Sequence, residues 1–470
     1  MQKRIRAHPI TILGNLWRVM YLIIIPVLRG FFLALQDNLA GWMAGAWVDI
    51  VILLLMVGLA VLRWRRVEFW WDERLFHIRA GFFLTGYTVI PWKKIVTVSV
   101  TAPFYLRPFR AQRLRLDAMG GSLRDSDFTI LLGPEVSRQL LNRHNGPFPR
   151  EKGYRPRTRS IVALSLLGSN SFAGIIFIAA FISQSGKLLG EEFSSGLIGA
   201  FEETARTLSF GLPPAAAAIA WLLLWGWAIS FLLTFIRYKD MGVNASGSLQ
   251  IRGGWLTKRK YSVNYHDISY IDIRQSLTAK LLGLYSLYIC AVGYARKKED
   301  IACLIPTEGA AIFERYRLRF FPRFSPAPRA LAPENGGALR FIAPAIYPCA
   351  GIPLLTLLVW WRLESWGPFI LFTGGMAIAP ALVFMAVRII DSRTGGVGKA
   401  DNIYTLRYSK GFYLHTVVVE ADKIVQVELR QGIFQRRSGR CDALVRTRAE
   451  GRSLHRMRSL PMQKARNLFT

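Results

Sequence analysis

Long apolar runs alternate with strand-like runs three times along this chain. Six apolar stretches, near Leu13–Leu35, Ala46–Leu62, Ile161–Ile182, Leu212–Ile236, Phe341–Trp361 and Pro368–Ile390, read as helices crossing a bilayer of roughly 30 Å. They pair into three hairpins. The second is the shortest, and the third contains the polar run Ser169-Asn170-Ser171. After each hairpin the pattern changes to a period of two. Val96, Val98 and Val100 alternate with Thr97, Ser99 and Thr101; Ile271 and Ile273 with Asp272 and Arg274; Tyr404, Leu406 and Tyr408 with Thr405, Arg407 and Ser409; Val425, Val427 and Leu429 with Gln426, Glu428 and Arg430. That period marks antiparallel strands with one buried face.

The strand-like segments carry a repeated pattern. It reads FHIRAG at 76–81, LQIRGG at 249–254 and LRYSKG at 406–411. A second element, IVTV at 95–98, ISYI at 268–271 and IVQV at 424–427, follows each closing glycine by 14, 14 and 13 residues. A third lies 12 residues further on, at Arg107, Lys280 and Arg436. Gly81, Gly254 and Gly411 fall where the strand must turn, and glycine permits the positive φ such turns use. Each segment then closes on a helix. Pro134-Glu135 opens Val136–Asn142, Thr307-Glu308 opens Gly309–Arg319, and Pro461 opens Met462–Phe469. The chain therefore divides into hairpins at 1–62, 161–236 and 341–390, each followed by a small polar domain at 63–160, 237–340 and 391–470. The Pro- and Arg-rich linker at 321–329 is expected to be extended and close to the inner leaflet.

Composition makes this a membrane protein. The chain is 52% hydrophobic yet carries a net charge of +31 over 470 residues. Soluble proteins rarely combine the two, whereas an integral membrane protein with basic cytoplasmic parts does. The connections at 36–45, 183–211 and 362–367 hold only Lys187, Arg206 and Arg362 of the 61 basic residues. The positive-inside rule thus places both termini and all three polar domains in the cytoplasm. The first apolar run is a retained anchor, because it is too long for a signal peptide and no small-x-small cleavage site follows. The four cysteines, Cys290, Cys303, Cys349 and Cys441, have neither disulfide nor metal spacing and read as reduced thiols.

The arrangement resembles the bacterial membrane proteins with pleckstrin-homology-like domains of the YdbS/YdbT type. The likeness rests on the three glycine-closed motifs, on IPWKKIVTV at 90–98 and YHDISYI at 265–271, and on AKLLGL at 279–284. The third copy departs most, with Arg437-Ser438-Gly439 in place of Leu281-Leu282-Gly283, and the first has Arg110 where the second has Gly283. The resemblance implies three curled antiparallel sheets, each capped by a C-terminal helix. It implies no enzymatic activity.

Candidate sites are few. In lipid-binding pleckstrin-homology domains the first inter-strand loop carries basic residues, and Lys258, Arg259 and Lys260, with Arg252 upstream, take that position here. Each such cation near an anionic leaflet contributes about 1 kcal/mol. A solvated basic turn is the blander reading of the same residues. Trp64, Arg65, Arg66, Trp70 and Trp71 follow the second apolar run and read as an interfacial anchor. Arg29 and Asp49 lie toward the outer ends of the first hairpin, where an ion pair between them competes with snorkelling and helix capping. Gly395-Gly396-Val397-Gly398-Lys399-Ala400 superficially suggests a phosphate loop, but it has Arg393 where a glycine is required and Ala400 where Ser or Thr is required. It reads instead as a flexible juxtamembrane linker. Leu197, Ile198, Phe201 and Ala205 recur near helical spacing in the 183–211 connection.

No catalytic residue, metal site or cofactor is expected, since the six histidines have no metal spacing and no HExxH or GxSxG motif occurs. The expected protein is a non-enzymatic scaffold. Its domains would engage membrane lipid, another membrane protein including smaller relatives with the same domain, or a second copy, and not nucleic acid. The rival is a transporter or membrane enzyme centred on the hairpins, which requires Arg29, Asp49 and Asn170 to converge.

Overall fold

The three repeats fold to one order of elements: three strands, a 3-10 turn, three more strands and a helix. The computed structural model describes residues 4–18, 46–81, 85–119, 127–145, 153–169, 175, 178, 191–207, 214–295, 300–333, 337–448 and 454–469. The first repeat has β1 (Ile5–Arg6), α1 (Thr11–Arg18), α2 (Ala46–Arg65), β2 (Glu68–Trp71), β3 (Leu75–Ala80), β4 (Gly86–Pro91), β5 (Ile95–Pro103), β6 (Gln112–Ala118), β7 (Phe128–Leu132) and α3 (Pro134–Asn145). The second has α4 (Thr158–Gly168), α5 (Glu191–Thr207), α6 (Pro214–Tyr238), β8 (Gly242–Ser246), β9 (Ser248–Gly253), β10 (Thr257–Val263), β11 (Ile268–Ser276), α7 (Leu277–Leu281), β12 (Leu284–Ala291), β13 (Cys303–Gly309) and α8 (Ala310–Phe320). The third has α9 (Ala338–Arg362), α10 (Gly367–Thr394), β14 (Gly396–Ala400), β15 (Ile403–Lys410), β16 (Tyr413–Glu420), β17 (Ile424–Arg430), α11 (Ile433–Arg437), β18 (Arg440–Thr447), β19 (Leu454–Pro461) and α12 (Met462–Phe469). The 3-10 turns, Trp92–Lys94, Tyr265–Asp267 and Ala421–Lys423, occupy equivalent places.

Backbone conformation repeats with the sequence. Gly81, Gly254 and Gly411 have φ of 148°, 92° and 59°. Gly283 and Gly439 have φ of 63° and 64°, and Arg110, at the same place in the first repeat, is held at 54°. The turn survives there without its glycine, at the steric cost of a Cβ in the left-handed region.

The chain forms two compact units whose borders do not follow the repeats. One comprises Met1–Glu151, Ser246–Arg252 and Leu256–Asp267; the other comprises Lys152–Ala245, Gly253–Trp255 and Ile268–Thr470. In the first unit one sheet runs β1-β2-β3-β4, and another contains β7-β6-β5-β10-β9. In the second, one sheet runs β13-β12-β11-β16-β15-β14 and another β17-β18-β19. In repeats one and three the two halves share one core. Phe69 and Phe76 from the first half of repeat one pack with Val98, Leu114 and Ile130 from its second half and Leu140 from α3. Leu406 and Val417 pack with Ala443, Val445 and Met457 in the same way in repeat three.

The expectation of six transmembrane helices as three hairpins is corrected. Among the described residues, three helices are long and apolar enough to cross a membrane, Ala217–Tyr238, Arg340–Arg362 and Gly367–Thr394. The expected second span forms α2, a helix of 20 residues that ends on Arg63 and Arg65 in its last turn. The expected third span breaks after Gly168, where Ser169 turns extended, with φ −69° and ψ 142°. Most of the first span, and the remainder of the third apart from residues 175 and 178, lie outside the described residues. The last two helices pack against each other, and Gly374 leaves the room that the Thr356 side chain fills.

Two linkers are also more ordered than their composition suggests. The glycine-rich run after α10 is strand β14, paired with β15. The segment 321–331 is packed, burying Phe321, Phe324, Ala327 and Leu331. Leu331 bridges to Val397, and a side chain at Gly396 or Gly398 would strike the Leu331 or Pro328 carbonyl. The glycines are there for that close approach.

Candidate functional site

The richest polar arrangement lies where repeats meet. β11 of the second repeat pairs antiparallel with β16 of the third over seven residue pairs, from Tyr270↔Val419 to Ser276↔Tyr413. At this seam the buried Asp272 carboxylate accepts from Arg274 Nε at 2.6 Å and meets His415 Nδ1 at 3.0 Å. Burial alone would raise the Asp272 carboxyl, but Arg274 and His415 outweigh it and hold it at about 2. The Tyr408 ring stacks on His415 at 5.2 Å, and its hydroxyl lies 2.8 Å from His455 Nδ1. Burial, with His415 and Lys410 nearby, lowers His455 to about 4 despite the attraction of Asp272. The cluster therefore holds a charged pair and a neutral imidazole inside a sheet.

The other seam repeats this geometry. β5 pairs with β10 over seven pairs, from Thr97↔Val263 to Pro103↔Thr257. Aligning the repeats on Ile95 and Ile268 superposes all seven pairs of one seam on those of the other. Arg107 Nη2 adds a bond of 2.8 Å to the Leu256 carbonyl.

Beside the β11–β16 seam lies a cleft of about 330 Å³ where α10 ends, lined by Lys280, Arg329, Arg393, Arg407, Asp391 and His415 among others. Arg407 donates to the Ala327 carbonyl at 2.7 Å, while its buried Nη1 has no protein partner among the described residues. Burial and the neighbouring Arg329 lower the Arg407 pKa. A basic cleft at the end of a membrane-length helix suits an anionic group at the membrane surface.

The basic residues singled out from the sequence divide. Lys258, Arg259 and Lys260 lie on strand β10 rather than in a loop, in register with Ala102, Thr101 and Val100. Arg259 is buried, whereas Lys258, Lys260 and Arg252 are exposed. Partial burial lowers the Lys260 pKa, helped by repulsion from Arg138, Arg252 and Lys258. Arg138, on α3, is a member of this cationic group that the sequence did not point to. Of the expected interfacial anchor, Trp64 and Trp71 pack against the first core, and Trp64 Nε1 donates to the Ala7 carbonyl at 2.8 Å. Trp70 stacks on His77, and the Arg4 guanidinium sits over it at 5.3 Å. Arg65 and Arg66 are exposed. Arg29 and Asn170 lie outside the described residues, so the convergence with Asp49 does too.

No group of three metal-ligating side chains occurs among the described residues. The four cysteines are free, and burial pushes Cys303 up to about 12 and Cys441 to about 11, which leaves both thiols protonated. Reading the sequence alone missed the roles of Asp272, His415 and His455. A signal was present: an acid two residues before an arginine recurs at Asp272/Arg274 and Glu428/Arg430, the same position of two repeats.

The sequence profile of the bacterial PH domain matches this chain twice, at residues 19–144 and 193–319. The chain is also similar to the UPF0699 transmembrane protein YdbT of Bacillus subtilis (strain 168), 21% identical over 329 residues, covering 64% of this chain. It spans 65% of that relative's length. No solved structure matches the chain. Matched over more than half its length and carrying three helices of membrane-spanning length, the chain is a membrane protein that belongs to the bacterial PH domain family.

Proposed function

We propose that this chain is a non-enzymatic scaffold of the bacterial inner membrane that binds through the edges of its PH-like sheets. One observation carries the reading: at two independent seams, a strand from the second half of one repeat binds a strand from the first half of the next in the same register. Strand addition supplies affinity through main-chain hydrogen bonds and specificity through alternate side chains. It also requires the paired strands to share one side of the membrane, and the basic excess of these segments favours the cytoplasm. The buried Asp272, Arg274 and His415 are engaged with one another, which supports a structural rather than catalytic use. Crosslinking with mass spectrometry on native membranes tests the reading. Crosslinks from the PH-like sheets to other protein molecules are expected; crosslinks confined within single chains would contradict it.

A second reading is supported by the basic cleft at the end of α10, which suits the phosphate of an anionic lipid headgroup. Native mass spectrometry of the full chain with phosphatidylglycerol tests it. Lys280→Glu, an exposed lining residue, is expected to reduce lipid retention, and unchanged retention would remove this reading.

A further inference from the structure

The seam rule leaves two strands over. Each seam joins the first strand of a second half (β5 or β11) to the last strand of a following first half (β10 or β16). The third repeat also has a second-half strand of this kind, β17, and among the described residues it ends its sheet. The first repeat has a first-half strand of the other kind, β4, and it too ends its sheet. Among the described residues one chain therefore presents one free edge of each type, and the two types are those that pair inside the molecule.

Their surfaces match this description. In β5, all nine residues but Ala102 are buried, and β11 is nearly as covered. No residue of β17 is fully buried, and Val425 is 68% exposed. In β4, Gly86 to Val89 are all exposed, Tyr87 by 58%. A strand edge left this open is a template for pairing unless something blunts it. Glu428 and Arg430 on β17 do not serve that purpose. Arg430 Nε bonds Glu428 at 2.6 Å, as Arg274 Nε bonds Asp272 at 2.6 Å on β11, where the same acid–arginine pair lies inside a formed seam.

We propose that β17 of one copy of this chain pairs antiparallel with β4 of a second copy, continuing the internal seams between molecules. This names the partner within the scaffold reading and rests on it. Transferring the internal register sets Ile90 opposite Gln426, Val89 opposite Val427, Thr88 opposite Glu428, Tyr87 opposite Leu429 and Gly86 opposite Arg430. Val89 and Tyr87 thereby meet apolar residues, and Gly86 leaves room beside the arginine. The contact is head-to-tail, so each added copy leaves one edge of each type open, and assembly grows until a ring closes.

The test uses the full chain in detergent or native membranes. A chain with Val89→Cys is mixed with one carrying Val427→Cys and oxidised; Thr88→Cys with Glu428→Cys is a second pair. Adjacent antiparallel pairs alternate in hydrogen-bonding class and Cβ separation, so one of the two is the closer. A band at twice the chain mass, lost on reduction, is expected from at least one mixture. It should be missing from the parent chain with its native cysteines and from the register-shifted mixture of Val89→Cys with Val425→Cys. Val427→Pro removes a backbone donor from the edge and should abolish the Thr88/Glu428 product. Equal product from the shifted mixture, or none from either paired mixture, overturns the proposal. So does closure at single-chain mass when both cysteines are on one chain and no doubled band forms. If crosslinks to a different protein are found on native membranes while these products are missing, the partner assignment fails and the scaffold reading stands. If neither appears, both fail.

Discussion

Arg110 shows how a repeat can keep a conformation after losing the residue that made it easy. Its φ of 54° matches Gly283 and Gly439, and the side chain is exposed. Placing an L-residue there costs about 1–2 kcal/mol, part of which glycine returns as unfolded-state entropy. Arg110→Gly is therefore expected to stabilise the first repeat by about 0.5–1 kcal/mol, read as a rise in denaturation midpoint; Gly283→Arg should do the reverse. His455 makes a prediction in pH. An unfolded histidine titrates at about 6.5, and the folded one at about 4. The unfolded chain takes up the proton first, so His455 contributes stability above pH 6.5 that is lost as the pH falls to about 4. The amount is on the order of 3 kcal/mol. Thermal unfolding of the parent chain should weaken over that window, and His455→Gln should flatten the profile. The positive-φ turn was legible in the sequence because alignment set Arg110 against two glycines. The histidine was not, because nothing local in a sequence says which cross-strand groups will bury it.

Strands and helices were legible in kind more than in partnership. Alternation in 95–101 and 404–409 marked strands, and Pro134 and Pro461 marked helix starts. Alternation does not say which strand lies alongside. A hydrophobic face is satisfied equally by a neighbour from the same repeat or the next, so the seams could not be read. Nor could the packing of 321–331, whose glycine partners looked like a linker. Among the helices, α9 is fastened to the third repeat by Asp442. This buried carboxylate accepts from Arg340 Nη2 at 3.0 Å, Arg456 Nη2 at 2.9 Å and Gln435 Nε2 at 2.8 Å. Burial would raise the Asp442 pKa, but these donors outweigh it and lower it. Asp442→Ala leaves the Arg340 and Arg456 guanidiniums without that acceptor and should destabilise the third repeat by about 3 kcal/mol. Hydrogen exchange should show it as faster opening of β18 and β19, with β5 and β6 unchanged.

Across the molecule, threefold repetition was plain in the sequence, while the way the repeats interlock was not. The segment 237–340, which reads as one domain, supplies β10 to the first repeat's sheet and takes β16 from the third. Expressed alone, it exposes both strand edges, and it is expected to aggregate or pair with itself rather than stay monomeric, as size-exclusion with light scattering would show. The most direct test of the account is whether both seams hold their register in the full chain. Ala102→Cys/Lys258→Cys and Gln275→Cys/Leu414→Cys are equivalent opposed pairs at the two seams. Both should close to intrachain disulfides under mild oxidation, detected by peptide mass, while Gln275→Cys/Val418→Cys should stay reduced. Failure of both opposed pairs, or closure of the displaced pair as readily as theirs, would contradict it.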